Sequence, residues 1–373
     1  MHRAFVFTLA LAAALFPAWG STQPAKVAPQ PAKVPSKVLT FYYPWYGTPE
    51  GPGGKSHGGK FVHWEGVEPT ATPPRIASST NYPTGGVYDS HDPAVIKRHC
   101  TLAKDAGIDG LIISWWGKGT FEDQATPAIL DGCAKHGLQA AVYYEQVKSP
   151  TNAAAAVEEL TDIAKRFGSH AAYLKVDDNG QQRPVIFIYS RAIFQLDWKA
   201  WETVVAELHK TVSPAPFIVA DCFDSRAIKL FDGVHDYGPA GGTAAAIKKG
   251  ETAEAWSHRT MPWWVSEAHK YNKLSCVTVF PGYDDLKIRK PGIRVDRDNG
   301  RFYDTLWKDA IAAKPDWVLI TSFNEWHEGS EIEPSNEHGD KYIKATAEWA
   351  KKFKQTTAAN EPPTPAQPDK PAK

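Results

Sequence analysis

Eight short apolar runs, each continuous rather than alternating, are spread along the chain with longer amphipathic stretches between most of them. The runs lie at 38–45, 110–115, 139–145, 184–189, 217–222, 233–237, 277–280 and 317–323. A continuous apolar run marks a strand covered on both faces, which is the condition of a parallel sheet flanked by helices. Helical periodicity fits 93–106, 124–136, 153–167, 198–211, 243–259 and 303–313, and a last helix fits 341–353. Eight strands alternating with helices predict a single α/β domain, a (β/α)8 TIM barrel with extended loops at its C-terminal face. An open doubly wound sheet is the rival, but no GxGxxG or GxxxxGK[ST] follows any run.

The ends do not belong to that domain. Residues 1–20 read as a signal peptide, with Arg3, an apolar stretch and small residues Ala18 and Gly20 before a cut at Ser21. Residues 21–37 and 355–373 are Pro/Ala/Lys-rich, the first a linker and the second a disordered tail, which leaves 38–354 as the catalytic domain. This predicts a secreted protein, periplasmic or extracellular, with no stable membrane span and monomeric. Forty-two basic residues balance 42 acidic ones, so the strong basic excess of a nucleic-acid binder is missing.

In a barrel of this kind the chemistry sits just past the C-terminal ends of the strands. Reading those ends in order gives Tyr42, Tyr43, Trp45 and Tyr46, then Ser114, Trp115 and Trp116, then Tyr143, Tyr144 and Glu145. Tyr189 and Arg191, Asp221 and Asp224, and His235, Asp236 and Tyr237 follow. Tyr283, Asp284 and Asp285 end the seventh run, and Asn324, Glu325, Trp326, His327 and Glu328 end the eighth. Such an aromatic bowl with carboxylates suits a sugar, whose C–H faces stack on rings while its hydroxyls need acceptors. The 14 tryptophans point the same way, although those on helices are packing residues.

Glu325 and Glu328 are three apart, so a helical turn after the strand brings their side chains onto one face, with β-carbons about 5–6 Å apart. Two close carboxyls in a desolvated bowl separate in pKa and supply one acid and one base, the division of labour that glycoside cleavage needs. The alternative at this point is a solvated helix start.

The chain resembles the endo-α-mannosidase family, glycoside hydrolase family 99. The resemblance is carried by FYYPWYG at 41–47, YDSHD at 88–92, AGIDGLIISWWG at 106–117, VYYE at 142–145, PGYDD at 281–285 and ITSFNEWHEGSEIEP at 320–334. It implies a (β/α)8 barrel and endo-acting, retaining hydrolysis of α-mannosidic bonds with a substrate-assisted step. Glu325 would take the proton from the sugar's own 2-hydroxyl, giving a 1,2-anhydro sugar, and Glu328 would act as general acid and then base. Tyr43, Tyr46, Trp115, Trp116, Glu145, Tyr237, Tyr283, Asp284, Asn324, Trp326 and His327 are the candidate substrate-binding residues. One of Trp115 and Trp116 is expected to face the core. The partner is an oligosaccharide or polysaccharide, with no cofactor. The Gly-rich stretch 51–59, with His57, His63 and Trp64 nearby, reads as a mobile loop over the bowl.

Two other functions share these features: an endo-acting α-glucanase on the same barrel and a non-catalytic glycan-binding protein. The histidines His57, His63, His91 and His99 match no metal-site spacing, so no metal is expected. Cys100 and Cys133 fall on consecutive helices and leave a bridge open, while Cys222 and Cys276 read as free.

Overall fold

The computed structural model describes residues 34–359, so the signal-like segment, most of the linker and most of the tail lie outside the described residues. Eight parallel strands close on themselves: β1 (Lys37–Tyr42), β2 (Gly110–Trp115), β3 (Gln139–Tyr144), β4 (Gln181–Ile188), β5 (Phe217–Asp221), β6 (Gly233–His235), β7 (Leu274–Val279) and β8 (Trp317–Ile320). Each pairs with its sequence neighbours, and β8 pairs with β1 through Val38 beside Val318 and Thr40 beside Ile320. The expected barrel is therefore the observed one.

Eight main helices follow the strands: α1 (Pro93–Asp105), α2 (Phe121–His136), α3 (Ala153–Arg166), α4 (Trp198–Thr211), α5 (Ser225–Leu230), α6 (Ala253–Lys270), α7 (Arg301–Ala313) and α8 (Lys341–Ala359). Six of them start on a short polar side chain that accepts a backbone N–H of the first turn: Asp92, Thr120, Asn152, Asp197, Asp224 and Thr252. Among the described residues no helix is long and apolar enough to cross a membrane.

Strand alternation splits the apolar residues into two cores. Leu39, Phe41, Ile112, Tyr143, Phe187, Val219, Cys276 and Leu319 fill the barrel interior. Val38, Tyr42, Ile113, Trp115, Val142, Ile186, Val277 and Ile320 face the helices. Each side chain so buried contributes about 1.5–3 kcal/mol relative to exposure, which is why all eight runs read as continuously apolar.

Several elements differ from expectation. The helix expected over 243–259 is two helices, Pro239–Lys248 and α6, broken where Gly250 takes φ 84°, a conformation that favours glycine. α8 runs to Ala359, past the expected boundary at 355, because the tail's first proline is Pro362. An unexpected strand, Lys175–Asp178, forms an antiparallel hairpin with β4. The Gly-rich stretch is a pinned turn of helix, Pro52–Ser56, and not an open loop. Asp89 accepts the backbone N–H of Thr48, Gly53 and Gly54, and a β-carbon on Gly54 would lie 1.8 Å from the Thr48 carbonyl. All four cysteines are free thiols, with Cys100 and Cys133 buried and the Cys133 thiol hydrogen-bonded to Cys100.

Candidate active site

The segment after β8 is laced to the strands around it. Ser322 N–H donates to the Ser330 carbonyl at 2.9 Å, Phe323 N–H to the Phe41 carbonyl at 2.8 Å, and Glu333 N–H to the Phe323 carbonyl at 2.9 Å. The Asn324 side chain bridges to Tyr43, accepting its N–H at 2.8 Å and donating to its carbonyl at 3.0 Å, which locks the ends of β1 and β8 together. The chain then makes a turn rather than a helix, and Asp284 N–H closes it on the Glu328 carbonyl at 2.7 Å. Arg297 braces the underside. Its guanidinium donates to the Gly329 and Glu331 carbonyls at 2.9 and 3.0 Å and to the Glu331 carboxylate at 2.6 Å.

This turn sets Glu325 and Glu328 in different surroundings. Glu325 is buried, and its Oε1 accepts the His327 N–H at 3.0 Å. Burial first, and repulsion from Glu328 second, hold its carboxyl well above the usual range. Glu328 lies nearer the opening. Its Oε2 accepts the Tyr237 hydroxyl at 3.1 Å and its Oε1 meets the Arg289 guanidinium at 3.0 Å. The Tyr43 hydroxyl donates to that of Tyr237 at 2.7 Å, so a chain of two phenols leads to Glu328.

A third carboxyl completes the floor. Glu145 accepts the Ser114 hydroxyl at 2.7 Å, and burial raises its pKa to about 8 despite that bond and the Arg191 charge. Asp221 is similarly pushed up by burial, to about 6, and accepts the backbone N–H of Tyr237 and Ser190. The rings form a wall: Trp45 lies 4.6 Å from Tyr43, 4.0 Å from His63 and 6.3 Å from Trp116, and His63 lies 4.5 Å from His327. The Nε2 of His327 and the Nε1 of Trp45 are buried without a protein partner. Burial, and the Arg289 charge after it, lower the His327 imidazole to about 4, so it is neutral at pH 7.

The expected residues thus divide. Tyr43, Trp116, Glu145, Tyr237, Tyr283, Glu325, His327 and Glu328 come together around one bowl. Asp284 lies at its edge, held through its backbone to Glu328 and facing Arg294 at 3.8 Å. Trp115 does not join them. Alternation turns it into the outer core, where its indole N–H donates to Asp123 at 2.7 Å, and its neighbour Trp116 takes the site-facing position. Asn324 and Trp326 are fully buried behind the turn, Asn324 on Tyr43 and Trp326 with its indole N–H on the Tyr88 hydroxyl at 3.1 Å. Tyr46 also packs behind it, stacked 3.9 Å from Trp64 and donating to the Asn324 carbonyl at 3.2 Å. Asn324 and Trp326 support the turn from behind, whereas Tyr46 also meets the ring wall, 5.7 Å from His63 and 6.0 Å from His327. Of the residues near the glycine stretch, His63 reaches the ring wall, whereas Trp64 is buried and His57 packs on Phe121.

Sequence reasoning missed Arg289 and Arg297. Both belong to the connection after β7, whose charges carry no local period, and only the PGYDD string just upstream marks the segment. Among the described residues no group of three or more His, Cys, Asp or Glu is placed to hold a metal ion.

Comparison with known proteins agrees with this geometry. The model of Glycosyl hydrolase family 99 matches residues 34–355. The chain is 28% identical to the glycoprotein endo-alpha-1,2-mannosidase-like protein of Homo sapiens over 371 residues, 87% of this chain and 77% of that one. It is 28% identical to the glycoprotein endo-alpha-1,2-mannosidase of Rattus norvegicus over 335 residues, covering 79% and 67%. Among solved structures, the GH99 endo-alpha-mannosidase from Bacteroides thetaiotaomicron in complex with bis-tris propane superposes with a TM-score of 0.71 at 27% identity, over 86% of this chain and 98% of that one. The barrel, the carboxylate-bearing turn after its last strand and a family match along almost all of the described residues lead to one assignment: the chain belongs to glycosyl hydrolase family 99, the endo-α-mannosidase family, and is a glycoside hydrolase.

Proposed function

We propose that the protein is a secreted, monomeric, endo-acting retaining α-mannosidase that hydrolyses internal α-1,2-mannosidic bonds of mannan or N-glycan-type oligosaccharides. The observation that carries this reading is the placing of Glu325 and Glu328 on one turn. Two carboxyls on the same short segment are poorly placed to reach a sugar from opposite faces, as a protein nucleophile and a general acid must. A nucleophile supplied by the substrate removes that demand.

In this mechanism Glu325 takes the proton of the 2-hydroxyl as its oxygen attacks the anomeric carbon, and Glu328 protonates the departing glycosidic oxygen. The product of that step is a 1,2-anhydro sugar. Glu328, now ionised, takes a proton from water as the water opens the ring at the anomeric carbon, and Glu325 returns its proton to the 2-oxygen. Two inversions give net retention. The surroundings suit these roles. Burial and repulsion make Glu325 a stronger base toward an alcohol than an exposed carboxylate. The site-facing rings Trp45 and Trp116 offer stacking faces, and Glu145 an acceptor, for the sugars on either side of the cut. The α-1,2 linkage is the one named for the mammalian relatives.

Glu325→Gln and Glu328→Gln are each expected to abolish turnover while melting temperature and oligosaccharide binding stay near those of the parent. Incubation with α-linked manno- and gluco-oligosaccharides, reading product masses and the anomer first formed, checks the rest. An active Glu325→Gln enzyme, an inverted first product, or release of single terminal sugars only would overturn the proposal; cleavage confined to glucosidic bonds would reassign the substrate.

A further inference from the structure

Glu328 is the residue proposed above as general acid, yet both of its oxygens are occupied as acceptors. Tyr237 donates to Oε2, and because the Tyr43 hydroxyl donates to Tyr237, the phenol proton of Tyr237 is directed to Glu328. Arginine has donors only, so Oε1 accepts from Arg289. This is the bonding pattern of a carboxylate, and the Oε1 face is filled. An acid must instead carry a proton toward the glycosidic oxygen.

The Arg289 side chain has a second, independent anchor. Its Nη1 donates to Asp285 at 2.7 Å and to the Tyr283 hydroxyl at 2.8 Å, while Nη2 alone reaches Glu328. Asp285 is a fixed post: its side chain is only 2% exposed and its other oxygen accepts the Ile293 N–H at 2.5 Å. Arg289 itself is 42% exposed, on the run Leu286–Pro291 that has every residue exposed. The guanidinium can therefore swing off Glu328 without losing its buried partner.

We propose that Arg289 is a displaceable clamp: it covers Oε1 of Glu328 until seating of the sugar on the leaving side draws Nη2 away, leaving the guanidinium held by Asp285 and Tyr283 alone and freeing Glu328 to hold the catalytic proton. The inference rests on the role of Glu328 given above. It makes Arg289 a positioning residue that ties the proton on the carboxylate pair to an occupied site. The other groups facing Glu328 are Glu325 and His327 from its own turn, Tyr43 from β1, Glu145 from β3, Tyr189 from β4, Tyr237 from β6, and Tyr283, Asp284 and Asp285 from the β7 connection. None of them but Arg289 carries a positive charge at neutral pH.

The test is the pH dependence of kcat/KM, which reports the free enzyme, against that of kcat, which reports the complex. Both are measured on an α-1,2-manno-oligosaccharide for the parent, Arg289→Gln and Arg289→Lys, with melting temperatures alongside. Removing a cation next to the pair favours proton binding, so Arg289→Gln should move both limbs of the kcat/KM bell to higher pH by about one unit. The kcat bell should move by less than half as much, because in the complex the guanidinium has already left. Arg289→Lys keeps the charge and should restore the parental position. Equal shifts of the two bells, no shift in either, or loss of turnover in both variants would overturn the clamp. An inactive Glu328→Gln enzyme together with an unmoved Arg289→Gln bell rejects the clamp alone, whereas an active Glu328→Gln enzyme removes the acid and the clamp with it.

Discussion

At the residue scale the clearest lesson is in two adjacent tryptophans. Trp115 and Trp116 are chemically identical and consecutive, and strand geometry sends them to opposite sides of the barrel wall. Trp115 sits in the outer core with Asp123 on its indole, and Arg166 pairs with that same Asp123 at 2.9 Å. Trp116 stands half-buried at the bowl, its indole N–H on Ser114 at 3.0 Å and Arg191 over its ring at 4.8 Å. Trp115→Ala should therefore cost about 3–5 kcal/mol of stability, read by denaturant unfolding. Trp116→Ala should leave the unfolding midpoint nearly unchanged and raise KM about tenfold in steady-state assays, the size expected for loss of about 1.4 kcal/mol of stacking. The motif pointed to both rings; burial separates them. The same applies to Asn324 and Trp326, which lie inside the strongest motif and serve the turn rather than the bowl.

At the scale of elements, the turn after β8 depends on a brace from another connection. Arg297 holds the Gly329 and Glu331 carbonyls and the Glu331 carboxylate, and Glu331 also accepts the Asn81 amide at 2.7 Å. Removing one partner of a buried ion pair strands the other, at a cost of about 3–5 kcal/mol. Arg297→Ala is thus expected to lower the melting temperature by several degrees and to reduce kcat, since the turn that carries Glu325 and Glu328 loses its support; calorimetry and steady-state assay on one preparation read both. The strands are legible because each is buried on both sides, and all eight expected runs begin within three residues of the observed strands. The apolar runs continue past the C-terminal ends of most strands, because aromatic residues beyond the hydrogen-bonded ladder, such as Tyr43 and Trp45, belong to the bowl. The break at Gly250 and the hairpin strand Lys175–Asp178 were missed, since one depends on a single left-handed residue and the other on polar residues that pair only in the folded state. The contacts of Arg289 with Glu328 and of Arg297 with Glu331 are illegible for a related reason: they span 39 and 34 residues, and the local pairing of Arg289 with Asp285 does not point to the distant carboxylate.

At the scale of the whole molecule, burying several carboxyls ties stability to pH. Glu145, Glu331 and Asp221 are raised to about 8, 7 and 6, in each case by burial first. Unfolded, they titrate near 4. Between those limits the native protein binds more protons than the unfolded chain, so stability falls as pH rises. The contribution is complete below about pH 4 and is lost on passing through the folded values. Glu333 acts oppositely: although burial alone would raise it, His99, Arg98 and Tyr88 hold it below its ordinary value, so its contribution is lost as the pH falls through its folded pKa. The buried neutral histidines His235 and His327, lowered to about 3 and 4, give the opposite slope up to their ordinary value near 6.5, so melting temperature should decline above about pH 6.5 and up to pH 8, and Glu145→Gln should flatten that decline; a profile that climbs over this upper range contradicts the assignment. The barrel also has a consequence for how the enzyme comes into being. Asn324 meets Tyr43 across 281 residues, and the first strand finds its second neighbour only when the last one is made. A chain still emerging from the ribosome, or one truncated before residue 317, has neither a closed ring of strands nor either of the two glutamates that the proposed mechanism uses, so unfinished copies are expected to be inactive toward any glycan they meet.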